Sequence, residues 1–314
     1  MEPITFLWLA GGVVGTWFGA ELLVRGSARI ALTLGIRPMV VGLTVVAFGT
    51  SSPEAVVSLV AAAKDSAGIA VGNVFGSNIA NVGLILGTVC LQHPVRVLWH
   101  EIRLDTLFMV LATVVAATFA MTGHLDRPAG VIMLGMLAAS LLYYIRGGHA
   151  PGGDQALEAE IPDVPRPGLL WPIAQSVMGL LLLVGGAHLL VGAAEDIALA
   201  FGISQEVIGA TMVAVGTSLP ELAASVVAVV RGHHEIGIGN IIGSNQMNLL
   251  FVLGGVCLFG DVEAADQVRR VIVPITLVFT FALIPMMRTG GRVGRGEGAL
   301  LLGGYAAFAA ISYF

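Results

Sequence analysis

Ten stretches of this chain run almost free of charged residues, and they decide what it can fold into. They are 5–20, 38–53, 66–92, 106–123, 128–145, 168–187, 207–220, 236–260, 271–287 and 298–314. About 20 apolar residues cross the hydrocarbon core of a bilayer as a helix, with roughly 17–25 as the working range. Some stretches need their flanks to reach that length and two hold internal breaks, so ten spans is the economical count. Charged residues make up 11% of the chain and hydrophobic ones 56%, where a soluble domain carries about 25% charged residues. A large soluble core would not repeat the pattern so often. The expected fold is an all-α membrane protein with ten transmembrane helices.

Residues 1–25 read as the first span rather than a cleaved signal peptide. Met1-Glu2-Pro3 supplies no basic leader, and no small-x-small cleavage site follows. Basic residues favour cytoplasmic loops. With the N-terminus outside, inner loops hold eleven of them (Arg25, Arg29, Arg37, Arg96, Arg103, Arg146, Arg166, Arg231, Arg288, Arg292 and Arg295). Outer loops hold only Lys64, Arg127, Arg269 and Arg270. Both termini are therefore expected outside. The Gly-, Pro- and acid-rich stretch 147–167 is expected to be a cytoplasmic linker, because it cannot bury enough apolar surface to fold alone. It separates 1–146 from 168–314.

Those two parts are copies. At an offset of 167, residues 40–87 align with 207–254 without a gap, and 22 of the 48 positions are identical. GLTVVAFGTSSPE (42–54) faces GATMVAVGTSLPE (209–221), and GNVFGSNIAN (72–81) faces GNIIGSNQMN (239–248). A weaker match pairs GAELLV (19–24) with GAHLLV (186–191). Chance apolar similarity would not keep rare polar residues in register. Five spans per copy is an odd number, so the second copy must enter the membrane from the opposite side, the inverted-repeat plan of many secondary transporters. Cys90 and Cys257 are repeat equivalents, expected near opposite membrane faces as small buried residues rather than a disulfide or a metal pair.

The chemistry concentrates in the copied motifs. Glu54 and Glu221 lie in apolar spans, where a carboxylate is costly and usually marks an ion pathway. Pro53 and Pro220, with Gly49 and Gly216, break the helices beside them. Freed carbonyls and the hydroxyls of Thr50, Ser51, Thr217 and Ser218 then lie one turn from each carboxylate. Ser77 with Asn81, and Ser244 with Asn248, are spaced i, i+4 and share a helix face. Asn78 and Asn245 point elsewhere and suit freed backbone carbonyls. A single hydroxyl or carboxamide is more often interhelical glue. Two membrane carboxylates, each at a broken helix and each duplicated with its neighbours, point instead to a central ion site. Its donors are oxygens without Cys or His, which is hard-cation chemistry, and composition alone does not choose Ca²⁺ over Na⁺ or H⁺. Two carboxylates balance one Ca²⁺ or two Na⁺.

Other polar residues have plainer readings. Glu21 and His188, repeat equivalents, suit a gate, a relay or hydrogen-bonded packing; Glu195 and Asp196 suit a polar helix end. His233, His234 and Glu235 suit a solvated turn, and Trp8, Trp17, Trp99 and Trp171 interfacial anchors. No nucleophile–base pair or cofactor motif is present, so neither an enzyme nor a resident cofactor is expected, and nothing points to nucleic acid.

At GTSSPE, GTSLPE and the two GSN segments, the chain resembles the cation/Ca²⁺ exchanger superfamily, notably prokaryotic Na⁺/Ca²⁺ exchangers. The resemblance covers essentially the whole chain. It implies a core of the second, third, seventh and eighth spans, across which the first and sixth slide. It implies ligands at Ala47 (carbonyl), Thr50, Ser51, Glu54, Ser77 and Asn81, and at Ala214 (carbonyl), Thr217, Ser218, Glu221, Ser244 and Asn248. Asn248 departs from relatives with Asp there, leaving at most two carboxylates. The GTS-x-PE form is similar to the Na⁺-coupled branches, whereas Ca²⁺/H⁺ exchangers carry GN-type motifs. The expectation is Na⁺/Ca²⁺ antiport in a prokaryotic cytoplasmic (inner) membrane, with transported Ca²⁺ and Na⁺ as the bound ions. Ca²⁺/H⁺ or Na⁺/H⁺ antiport is the same-fold alternative, and a passive cation channel the remote one.

Overall fold

The computed structural model describes residues 3–64, 67–123, 125–147, 168–201 and 214–313. The linker 148–167 and the segment 202–213, which includes GATMV, lie outside the described residues. The elements in chain order are α1 (Pro3–Leu34), α2 (Pro38–Thr50), α3 (Ser52–Ala63), α4 (Gly68–Gln92), α5 (Trp99–Thr122) and α6 (Arg127–Gly147). Then come α7 (Leu170–Ala200), α8 (Ala214–Thr217), α9 (Leu219–Val230), α10 (His234–Phe259), α11 (Val268–Arg288) and α12 (Arg295–Tyr313). A short antiparallel pair joins β1 (Val95–Arg96) to β2 (Arg292–Val293). Among the described residues, seven helices are long and apolar enough to cross a membrane, and the interrupted pair α2–α3 makes an eighth.

The chain divides into two compact units, each drawing on both halves of the repeat. One comprises Met1–Thr50 and Gly147–Asn240; the other comprises Ser51–Arg146 and Ile241–Phe314.

In the first unit, α1 extends well past its apolar stretch. Glu21, Arg25 and Arg29 fall at i, i+4 spacing on one face, so the polar residues gather there without stopping the helix. Its 32 residues make a rod of about 48 Å at 1.5 Å per residue, longer than the roughly 30 Å hydrocarbon core. The partner of α1 is α7, and the seam between them is built from glycine. A Cβ added at Gly12 would lie 2.6 Å from the Leu190 amide nitrogen. At Gly19 it would strike Leu183, at Gly26 Ser176, at Gly179 Leu23 and at Gly186 Thr16. Each advance along α1 is matched by an equal retreat along α7, so the helices run antiparallel. The 167-residue offset converts the Gly12–Leu190 contact into Gly179–Leu23, and Gly19–Leu183 into Gly186–Thr16. The seam maps onto itself under the repeat. Leu23, Val24, Ala28, Val46, Val227 and Ile236 belong to the hydrophobic core of this unit.

In the second unit, α4 and the later part of α10 are the most enclosed helices. They are also the ones richest in small and polar residues, so they suit protein surroundings better than lipid. Both widen into π-helical turns at repeat-equivalent places, Ala80–Leu86 and Met247–Val252. π-turns inside α-helices are frequent at functional sites. Helix α3 packs on α4 and on the end of α10. Cys90 and Cys257 are both buried and unbonded.

Candidate cation site

The broken helices expected from Pro53 and Pro220 are present, one residue earlier than the prolines' own neighbours. The backbone leaves helical geometry at Ser51 (φ −80°, ψ 4°) and at its equivalent Ser218 (φ −89°, ψ 2°). Each proline then sits in the first turn of the next helix, where its missing N–H is harmless. The amide of Ala55 donates to the Ser51 carbonyl at 3.0 Å, and that of Leu222 to the Ser218 carbonyl at 3.1 Å. Glu54 and Glu221 thereby occupy the first turns of α3 and α9, the ends where a helix dipole favours negative charge. Each is only 1% exposed.

In the first unit, Thr50 is fully buried, Ser218 is buried and Thr217 half-buried, while Ala214 opens the short helix α8. The Thr50 hydroxyl lies 3.1 Å from Asn240 Oδ1 and 3.4 Å from the Ala47 carbonyl. Asn240 also donates from Nδ2 to Ser225 Oγ at 3.0 Å and to the Glu221 carbonyl at 3.3 Å. Gly42 and Gly239 allow this approach: a Cβ on Gly42 would lie 2.6 Å from the Ile236 carbonyl, and one on Gly239 2.7 Å from that of Met39.

In the second unit, Ser51, Glu54, Ser77, Asn81, Ser244 and Asn248 are all buried. Asn81 and Asn248 both fall in the π-helical turns, so the face they share with Ser77 and Ser244 is set by a widened ladder rather than a plain α-helix. Asn81 Nδ2 donates to Asn245 Oδ1 at 3.2 Å, and Asn78 Nδ2 to the Asn245 carbonyl at 3.4 Å. Asn78 does bond a backbone carbonyl, as expected, but at the α4–α10 crossing rather than at a proline break. Asn81 Oδ1, Ser244 Oγ and both side-chain polar atoms of Asn248 are buried without a hydrogen-bond partner among the described residues. Such atoms are costly unless something else occupies them.

Sequence reasoning passed over several residues that the fold uses. Asn240 and Ser225 are bonded to each other, and their repeat equivalents Asn73 and Ser58 make the same bond at 2.9 Å. Both pairs stand as identities in the repeat alignment, which is the signal that would have found them. Asp105, 1% exposed in α5, carried no such signal, since its equivalent is Ile272. Its carbonyl accepts from Gln246 Nε2 at 3.1 Å, and the Tyr144 hydroxyl donates to Gln246 Oε1 at 3.0 Å.

The remaining expectations separate. Glu21 accepts from Arg25 on its own helix and from Arg231 just past α9, at 2.5 Å in the latter case. The carboxylate is thus hydrogen-bonded both along α1 and to the end of α9. His188 is exposed on α7, and Glu195 and Asp196 lie in its last turns. His234 begins α10 instead of standing in a turn.

Comparison with known proteins fits this architecture. The sodium/calcium exchanger protein family model matches residues 4–146 and 171–314. The chain is 38% identical to the putative antiporter CaxA of Alkalimonas amylolytica, over 96% of each protein. It is 30% identical to the sodium/calcium exchanger MaX1 of Methanosarcina acetivorans, over the full length of both. Among solved structures, the sodium-calcium exchanger NCX_Mj, soaked with 10 mM Na⁺ and zero Ca²⁺, superposes with a TM-score of 0.86 at 31% identity, covering 100% of each chain. The chain belongs to the sodium/calcium exchanger family and is an integral membrane cation antiporter.

Proposed function

We propose that this antiporter exchanges Na⁺ for Ca²⁺ by alternating access across a prokaryotic cytoplasmic membrane. The observation that carries the reading is a buried carboxylate in the first turn after a helix break, present twice at equivalent positions as Glu54 and Glu221. The unengaged buried oxygens of Asn81, Ser244 and Asn248 support it, being hard donors with capacity to spare. In this reading Ca²⁺ binds Glu54 and Glu221 directly. Na⁺ spreads over the hydroxyls of Thr50, Ser51, Ser77, Thr217, Ser218 and Ser244, the carboxamides of Asn81 and Asn248, and the carbonyls of Ala47 and Ala214. Asn248 is neutral, so the two glutamates set the exchanged charge, and one Ca²⁺ or two Na⁺ balance it. A site too costly to leave charged and empty couples the release of one ion to the binding of the other.

The proposed frame is ten spans in two inverted five-helix repeats, with both termini outside. The self-mapping α1–α7 seam supports the inversion, and the bias of Arg toward the inner loops supports the orientation. The names of MaX1 and NCX_Mj as sodium/calcium exchangers support the ion pair.

The test is purified protein in liposomes with Na⁺ and pH gradients imposed separately. Ca²⁺ uptake should require an outward Na⁺ gradient, and Glu54→Gln or Glu221→Gln should abolish it. Uptake driven equally by a pH gradient alone would transfer the reading to Ca²⁺/H⁺ antiport. Flux indifferent to any counter-ion would mean a channel, and full activity in both glutamine variants would remove the site assignment.

A further inference from the structure

We propose that Asn240 is a positioning residue: its Oδ1 accepts the Thr50 hydroxyl hydrogen bond, so that the Thr50 lone pairs and the Ala47 carbonyl both stay open to the ion. The proposal rests on the reading of Thr50, Ala47 and Glu221 as ion ligands. A carboxamide offers one accepting oxygen and two donating hydrogens, and the three bonds around Asn240 use both ends. The Glu221 carbonyl can only accept, so the NH₂ end must face it, at 3.3 Å. Ser225 Oγ at 3.0 Å takes the second hydrogen. Oδ1 is thereby turned toward Thr50, at 3.1 Å, and Thr50 must be the donor there. Asn240, Thr50 and Ser225 are all fully buried, so water does not compete for these bonds.

A hydroxyl has one proton and two lone pairs. A hard cation needs the lone pairs, and the proton must go elsewhere. Among the described residues, the other acceptor within reach is the Ala47 carbonyl at 3.4 Å, itself a proposed ligand. Without Asn240 the proton would fall back on that carbonyl and two oxygens would be compromised at once. Asp at this position would set a second acceptor against the Glu221 carbonyl, so the carboxamide specifically is required. The Asn73–Ser58 bond repeats one arm of this arrangement at the offset of 167.

The experiment is a double-mutant cycle on Ca²⁺ transport in liposomes, with apparent KM, maximal rate and thermal melting read for each variant. Asn240→Leu keeps the bulk but makes no hydrogen bond. It should raise the apparent KM about 10-fold, the scale of coupling between groups in direct contact. Thr50→Val should do the same, and the double variant should be no more than about 2-fold worse than Thr50→Val alone. Multiplication of the two effects, or a lower maximal rate and melting temperature with KM unchanged, would reduce Asn240 to ordinary packing. If Asn240→Leu does not yield folded protein, Ser225→Ala carries the test, since it removes one of the two acceptors that hold the amide in place. A rise in KM of about 3-fold in the native background and none beside Thr50→Val supports the proposal; an equal rise in both overturns it. Failure of the site reading looks different: Thr50→Val and Glu221→Gln would then leave KM where it was.

Discussion

The α1–α7 seam and the α4–α10 crossing solve the same problem, holding two helices together in lipid, by opposite means. Along the seam, glycines on each helix receive the backbone of the other, and the joint is made of shape. At the crossing, Asn78 and Asn81 reach across to Asn245, and the joint is made of directed hydrogen bonds. Lipid tails are as apolar as leucine, so close van der Waals packing through small residues is a strong way to fasten two spans. Shape suffices where two helices need only stay together as one body. Directed bonds are needed where oxygen atoms must be held in register, which is why they appear beside the residues assigned to the ion.

The largest effects should come from filling the seam. Gly19→Val and Gly186→Val push side chains into backbone that cannot yield, and such overpacking costs at least about 1–3 kcal/mol. Both should fail to give monodisperse protein in detergent, or melt far below the parent. Gly15→Ala is graded, because its Cβ would stand 3.3 Å from Gly186 Cα. Gly11 and Gly185 have nothing within 4 Å, so Ala there should be neutral or stabilise by about 0.4–1 kcal/mol. Equal tolerance at Gly19 and Gly11 would refute the close seam.

Asn245→Leu tests the other joint and should do less to the fold. It removes the acceptor for Asn81 and leaves that amide buried, a cost of about 1–3 kcal/mol. The protein should still purify, yet transport Ca²⁺ poorly, with the loss in apparent KM rather than in yield. A variant that melts early but transports normally when cold would make the crossing structural only.

How much of this was legible in the sequence follows from duplication. The breaks at Ser51 and Ser218 and the burial of Glu54 and Glu221 were readable because proline, glycine and acid recur at one offset. The seam was half-readable: Gly19 and Gly186 open the weakly matched strings GAELLV and GAHLLV, but which helix faces which is not written in either. The π-helical turns were not readable, since one extra residue in a turn leaves no trace in a pattern of apolar residues. The length of α1 was misjudged from its apolar stretch alone, because Glu21, Arg25 and Arg29 share one face and find partners there. Asp105 had no copy, and its network runs through Gln246 and Tyr144, whose closeness only the fold creates.

A third kind of joint sharpens the contrast at the smallest scale. Glu21 on α1 pairs with Arg231 just past α9, the helix that carries Glu221 in its first turn. The Arg231 side chain is 43% exposed, and Arg25 remains on the same carboxylate when Arg231 is removed. Partly solvated ion pairs contribute about 0–1 kcal/mol, so Arg231→Gln should leave melting nearly unchanged. If α1 and α7 move together during exchange, this bond lies across the moving boundary, where even a fraction of a kilocalorie biases the balance between states. The transport rate should then shift by about 2- to 3-fold, and the difference should fade in high salt, where exposed charges are screened within about 3 Å. A shift that persists in high salt would mean the arginine acts by packing. No shift at any salt would mean that the Glu21–Arg231 pair plays no part in exchange.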